Sequence, residues 1–196
     1  MSTSNFTTGK AIAQNAVMAD FLTESAVNND ELDLQYSGNT PEYYKWLDSL
    51  ISKYTDPKIL DIFSSQDPSF GSYLRRLGHK VQITDASRSN LDFLNKLPGS
   101  DIELPAKFFD LLTENISKDY QLIIWHNPEL VLTTPNLTTC LKKIIGGLEL
   151  EGLLVTNINC PELLINQFSN ELILHSELSF KKATETFQVF KKITNS

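Results

Sequence analysis

No stretch of this 196-residue chain approaches the apolar length that crosses a bilayer, so no membrane segment is expected. The amino terminus, Met1 to Phe6, has no basic region followed by an apolar one, which argues against a secretory leader. Cysteine is scarce. Cys140 and Cys160 cannot build a disulfide framework and read as buried thiols of a reducing compartment, so the protein is expected in the cytoplasm. The three histidines, His79, His126 and His175, are scattered and complete no ligand pattern with the cysteines, so no metal is expected. Positive charge is also short. A net charge of -7 argues against general attraction to phosphates and makes nucleic acid the least expected partner. The local exception is Lys181, Lys182, Lys191 and Lys192, read as a solvated edge that discourages strand pairing. Asn5, Asn115 and Asn136 each open an Asn-x-Ser/Thr triplet, read as chance matches in a chain without a leader.

What is present is an ordinary globular balance, 41% hydrophobic and 21% charged, long enough for one domain with a substantial core. Residues 1 to 39 read as an N-terminal extension with a helical segment from Ala11 to Leu22. An α/β domain follows over 40–196. Thr40-Pro41 suits a helix start, and the helix places Tyr43, Trp46, Leu47 and Leu50 on one face. Strands and helices then alternate. Lys58 to Phe63 is a buried strand, and Ser69 to Leu77 is a helix with Gly78 as its left-handed cap. Lys80 to Thr84 is a strand, Ser87 caps a helix to Leu97, and Ala106 to Phe109 is a short strand. Tyr120 to Trp125 is a strand, Thr134-Pro135 opens a helix to Ile145, and Leu153 to Ile158 is a strand. A helix from Asn159 to Phe168 precedes two strands, Leu172 to Phe180 and Thr186 to Ile193, read as a hairpin. This alternation implies an α/β three-layer sandwich of Rossmann-like type. Its sheet should be mostly parallel and seven-stranded, with the antiparallel hairpin at one edge.

The most informative stretch runs from Ile59 to Gly71. An apolar strand meets an acid, Asp61, then a loop of small and polar residues, then a helix. The next strand also ends in an acid, Asp85. With Asp110 after Phe108-Phe109, Asp119 to Trp125 followed by His126-Asn127-Pro128, and Leu148 to Val155 with Gly152, this order resembles the class I S-adenosylmethionine (SAM)-dependent methyltransferases. The resemblance covers about Thr40 to Ile193. It implies methyl transfer from SAM to a small-molecule or protein acceptor. It places Asp61, Phe63, Ser64 and Ser65 at the methionine end of the cofactor, Asp85 and Ala86 at the ribose, and Asp110 and Leu111 on the adenine side. Trp125 would border the same site, with His126 and Asn127 facing the acceptor and Tyr36 lining the substrate side.

The residues themselves leave alternatives open. A carboxylate at the end of a strand, such as Asp85, accepts two ribose hydroxyls well, yet can equally fasten the following helix. Asp61 can orient a ligand or bond loop amides. His126 titrates near neutrality and suits a general base, or it is held locally in its loop. Trp46 reads as packing, whereas Tyr36 sits in a turn. The family's glycine-rich loop is degenerate here. Ser65 and Asp67 stand where glycines would let the backbone approach a ligand. That substitution motivates a second reading, a catalytically inactive binding or scaffold protein that engages a protein partner.

Overall fold

The computed structural model describes residues 42–62, 69–96, 104–126, 128, 132–159, 161–182 and 185–194. The extension expected over 1–39 lies outside them, as do Tyr36, Phe63, Ser64, Ser65, Asp67, Asn127 and Cys160.

Helix α1 (Glu42–Ile51) buries Leu47, Leu50 and Ile51, a stripe with helical spacing. Trp46 lies beside that stripe. Its indole N–H donates to the Leu178 carbonyl at 2.6 Å. Its ring packs against Phe180 and Phe187, with centroids 5.4 and 5.9 Å away. Trp46 is therefore a packing residue with its polar atom satisfied.

The alternating units follow as β1 (Ile59–Ile62), α2 (Ser69–Arg76), β2 (Val81–Asp85), α3 (Arg88–Leu94) and β3 (Lys107–Phe108). They continue as β4 (Tyr120–Trp125), α4 (Thr134–Gly147), β5 (Leu148–Thr156) and α5 (Pro161–Phe168). The chain closes with β6 (Leu172–Leu174), β7 (Phe180–Lys182) and β8 (Glu185–Lys192). β1 is buried at every position, as expected of a strand covered on both faces. Gly78 ends α2 with φ +90, the left-handed conformation its position demanded.

The sheet order is β3-β2-β1-β4-β5-β8-β6, parallel from β3 to β5 and antiparallel where β8 meets β5 and β6. The Rossmann-like reading holds, with one difference. The described residues form eight strands because the stretch expected as one strand, Leu172 to Phe180, is two. β6 matches Leu174 to Phe190, whereas β7 matches Phe180 to Phe187. Six steps on one side face three on the other, and the surplus turns out of the sheet at His175 to Ser179. The Ser179 hydroxyl accepts the Val189 amide at 3.1 Å and so fixes that excursion.

Each sheet face has its own core. One layer joins Leu47, Ile51, Ile59, Ile83, Ile124, Val155 and Phe187. The other joins Leu60, Ile62, Ile123, Trp125, Leu141, Leu154 and Phe190. Lys192 departs from the solvated-edge reading. It is 4% exposed, and its ammonium donates to the carbonyls of Ile145 and Leu148 at 2.9 and 2.8 Å. These carbonyls belong to the last turn of α4 and the start of β5, where a cation offsets the negative end of the helix.

Candidate functional site

The strand order locates the site. From β1 the chain winds outward through β2 and β3, then returns to place β4 on the other side of β1. In open α/β sheets the crevice at such a reversal, at the carboxyl ends of the strands, is where ligands bind. Asp61, Asp85 and His126 lie at or just beyond the carboxyl ends of β1, β2 and β4, around this reversal.

Asp61 is buried, and its Oδ2 accepts the Gly71 amide at 2.9 Å. That amide opens the third position of α2, so the carboxylate caps a helix N-terminus. Gly71 must be glycine. A Cβ there would lie 2.6 Å from Ile83 Cγ1 and 2.7 Å from Asp61 Oδ2. Close helix-to-strand packing is one of the tasks of the glycines in a nucleotide-binding turn. Here Gly71 performs it, while the positions at 65 and 67 carry side chains. The sequence reading had looked for glycine only at those two loop positions.

Asp85 is 2% exposed. Its Oδ1 accepts the Ser87 amide at 2.7 Å and the Asn90 side-chain amide at 3.2 Å. Its carbonyl accepts the Phe109 amide at 3.0 Å. The carboxylate is thus fixed by the helix that follows it. Ser87, expected to cap that helix, makes no side-chain cap bond, and its hydroxyl pairs with Ser89 instead. Ala86 is exposed beside Asp85.

Phe108 pairs in register with Asp85, and with 51% exposure it is an open aromatic face next to a buried acid. The sequence reading placed Phe108-Phe109 in a short strand before Asp110 and gave them no role at the site. The signal it had was position, since a two-residue strand at the sheet edge leaves one side uncovered. Asp110 is engaged in its own turn. It accepts the Leu112 amide at 2.9 Å and the Thr113 hydroxyl at 3.0 Å, while Glu114 accepts the Asp110 amide at 2.9 Å, a reciprocal cap. Leu111 is fully buried in the core, and its carbonyl is one of three that accept from the Lys143 ammonium.

Trp125 ends β4 with no exposed surface. His126 follows at 9% exposure and stacks on Phe187 with centroids 5.4 Å apart. Burial lowers its pKa to about 4, so the imidazole is neutral at physiological pH. Phe187 comes from β8, more than sixty residues later, and nothing local in the sequence joins it to His126. Pro128 is buried just beyond. Among the described residues, no group of three or more His, Cys, Asp or Glu is arranged to hold a metal ion. No helix among them is long and apolar enough to cross a membrane.

No family model and no curated protein matches the sequence. Solved structures do match the fold. A TehB-like SAM-dependent methyltransferase from Corynebacterium glutamicum superposes with a TM-score of 0.66 at 18% identity, covering 93% of this chain and 99% of that one. This chain has the class I methyltransferase fold. The N-methyltransferase NodS from Bradyrhizobium japonicum, solved with S-adenosyl-L-homocysteine, shares that fold at TM-score 0.60 and 13% identity, over 84% of this chain and 97% of that chain. The glycopeptide N-methyltransferase MtfA, complexed with SAM, does so at 0.62 and 8%, over 78% and 93%. Within the class I methyltransferase fold, the acids ending β1 and β2 and the histidine after β4 all gather on the carboxyl side of the sheet.

Proposed function

We propose that this protein transfers a methyl group from SAM to a nitrogen or oxygen nucleophile on a small molecule or a protein. The observation that carries this reading is the placement of Asp85 and His126 on either side of the β1/β4 reversal. One is a fixed acid beside an open aromatic face, and the other is a neutral imidazole. Asp85 fits a ribose, since a carboxylate buried at a strand end accepts hydroxyl donors at little ordering cost. Phe108 offers an apolar flank to the base. Asp110 and Leu111 shape the adjoining turn. Asp61 acts indirectly, by holding the start of α2 through the Gly71 amide.

When bound, SAM would supply an electrophilic methyl carbon for in-line attack by the acceptor's lone pair, with S-adenosylhomocysteine as the leaving group. His126 then needs to orient that lone pair. Its neutral ring nitrogen accepts a hydrogen bond from an acceptor N–H or O–H. A conjugate acid with pKa about 4 is a weak base, so His126 acts by alignment more than by full proton abstraction. The net charge of -7 favours a small-molecule or protein acceptor over nucleic acid.

A second reading rests on Ser65 and Asp67, which replace expected loop glycines. In it the fold is a binding module without cofactor. Calorimetric titration with SAM and S-adenosylhomocysteine separates the two. Saturable binding that Asp85→Ala weakens at least tenfold, with the variant's circular dichroism unchanged, supports the enzyme. No heat and no rise in melting temperature at millimolar ligand overturns it, because a ligand of the native state must stabilise by mass action.

A further inference from the structure

Three polar atoms on neighbouring strands are left over by the reading above. Trp125 ends β4, Thr156 ends β5, and Gln188 lies in β8. Trp125 is in register with Thr156, and Thr156 with Gln188. In-register neighbours project from the same face at spacings of about 5 Å, so the three side chains form a row at the carboxyl edge. The face is the one carrying Ile123, Leu154 and Phe190, two residues back on each strand. Trp125 and Thr156 are 0% and 1% exposed. Trp125 Nε1, Thr156 Oγ1 and Gln188 Oε1 are all enclosed, and among the described residues none of the three has a hydrogen-bond partner.

Two other buried polar side chains of the sheet, Thr84 and Lys192, are paired. Thr84 Oγ1 donates to the Asp61 carbonyl at 2.9 Å, and the Lys192 ammonium meets two carbonyls. Enclosed polar atoms in native proteins are ordinarily satisfied, by protein or by an ordered small partner. The chemistry of the three atoms specifies that partner. The indole N–H only donates, the glutamine oxygen only accepts, and the threonine hydroxyl does either. A group satisfying all three must accept one hydrogen bond, donate one, and make a third in either sense. An anion has nothing to give Gln188 Oε1. A cation meets the indole N–H with no carboxylate among the three to offset its charge. A neutral oxygen bearing hydrogen meets every requirement.

We infer that Trp125, Thr156 and Gln188 form an enclosed site for one neutral hydroxyl-type oxygen, supplied by an ordered water or by the hydroxyl of an alcohol ligand. The site is separate from the one proposed for SAM. The imidazole of His126, next in the chain, stacks in the layer on the other face of the sheet.

The chain has only two tryptophans, so 15N-tryptophan labelling gives two indole resonances, and Trp125→Phe assigns one by its loss. A cross-peak between the Trp125 indole proton and long-lived water in ligand-free protein supports the inference and identifies water. A spherical density peak within hydrogen-bond distance of all three atoms in a crystal structure does the same. A saturable shift of the Trp125 resonance on titration with methanol, absent in Thr156→Val, supports it and identifies an alcohol hydroxyl. Should Thr156→Val fail to fold, Gln188→Leu serves in its place. No water cross-peak, no density and no saturable shift together overturn the inference. The SAM titration reads out separately, so either result can fail without the other.

Discussion

Protonating His126 should unfold the protein by an amount that can be stated in advance. An exposed histidine in the unfolded chain titrates near its ordinary value of 6.5, whereas burial holds the folded value at about 4. Above pH 6.5 both states carry the neutral ring and His126 adds no pH dependence. As pH falls from 6.5 towards 4, the unfolded state takes up the proton first and gains on the native state. The loss is complete below the folded pKa. At about 1.4 kcal/mol for each pH unit between the two values, the full penalty is about 3 kcal/mol. His126→Gln removes the titration while keeping a polar group of similar length. It forfeits the stack on Phe187, a pH-independent cost. Urea unfolding of both proteins from pH 7.5 to pH 4 should therefore give curves that are offset at neutral pH. They should converge or cross by about 3 kcal/mol on the acid side, every other titrating group being common to both. A histidine proton resonance with its midpoint near 4, lost in the variant, would agree. Parallel stability curves would refute the reasoning, and so would a midpoint near 6.5.

Three further perturbations test the scaffold. Gly71→Ala should cost about 1–3 kcal/mol by chemical denaturation, because its Cβ would press on Ile83 and on the Asp61 carboxylate. Lys192→Met retains the stem and removes the ammonium from two carbonyls. It should cost about 2 kcal/mol, and an unchanged midpoint would contradict the buried placement. Asp119 adopts φ 80, a left-handed conformation that glycine tolerates better. Asp119→Gly should raise stability by about 0.5 kcal/mol, measured the same way.

The alternation of elements was legible because each strand carried its own pattern. Ile59 to Ile62 and Tyr120 to Trp125 are apolar runs bounded by turn residues, and the structure places both in the middle of the sheet. β5 was harder to read. It starts at Leu148, five residues before the expected Leu153, because Leu148 to Gly152 reads locally as a turn. The irregularity is real but lies within the strand. Pairing with β4 shifts between Tyr120 and Leu122, and Glu151 takes φ 69 there. The end of the chain misled for a different reason. Lys192 looked like a surface charge in composition, and only the docking of α4 against β5 supplies the two carbonyls that bury it. At the site, the acids Asp61 and Asp85 were visible as strand-end residues. Their fixing partners Gly71, Ser87 and Asn90 became visible only once the helices were placed. Phe187 beneath His126 is a tertiary contact with no local signal at all.

The position of β8 has a consequence for how the molecule is made. It follows β5 and β6 in the chain, yet it lies inside the sheet between them. Until it emerges from the ribosome, β5 presents an unpaired edge bearing Leu153 and Val155, and β6 has no neighbour to pair with. The nascent chain therefore cannot finish its sheet one strand at a time as it appears. It must hold an apolar edge open until β8 has been made, the interval in which aggregation competes with folding and a chaperone has a surface to shield.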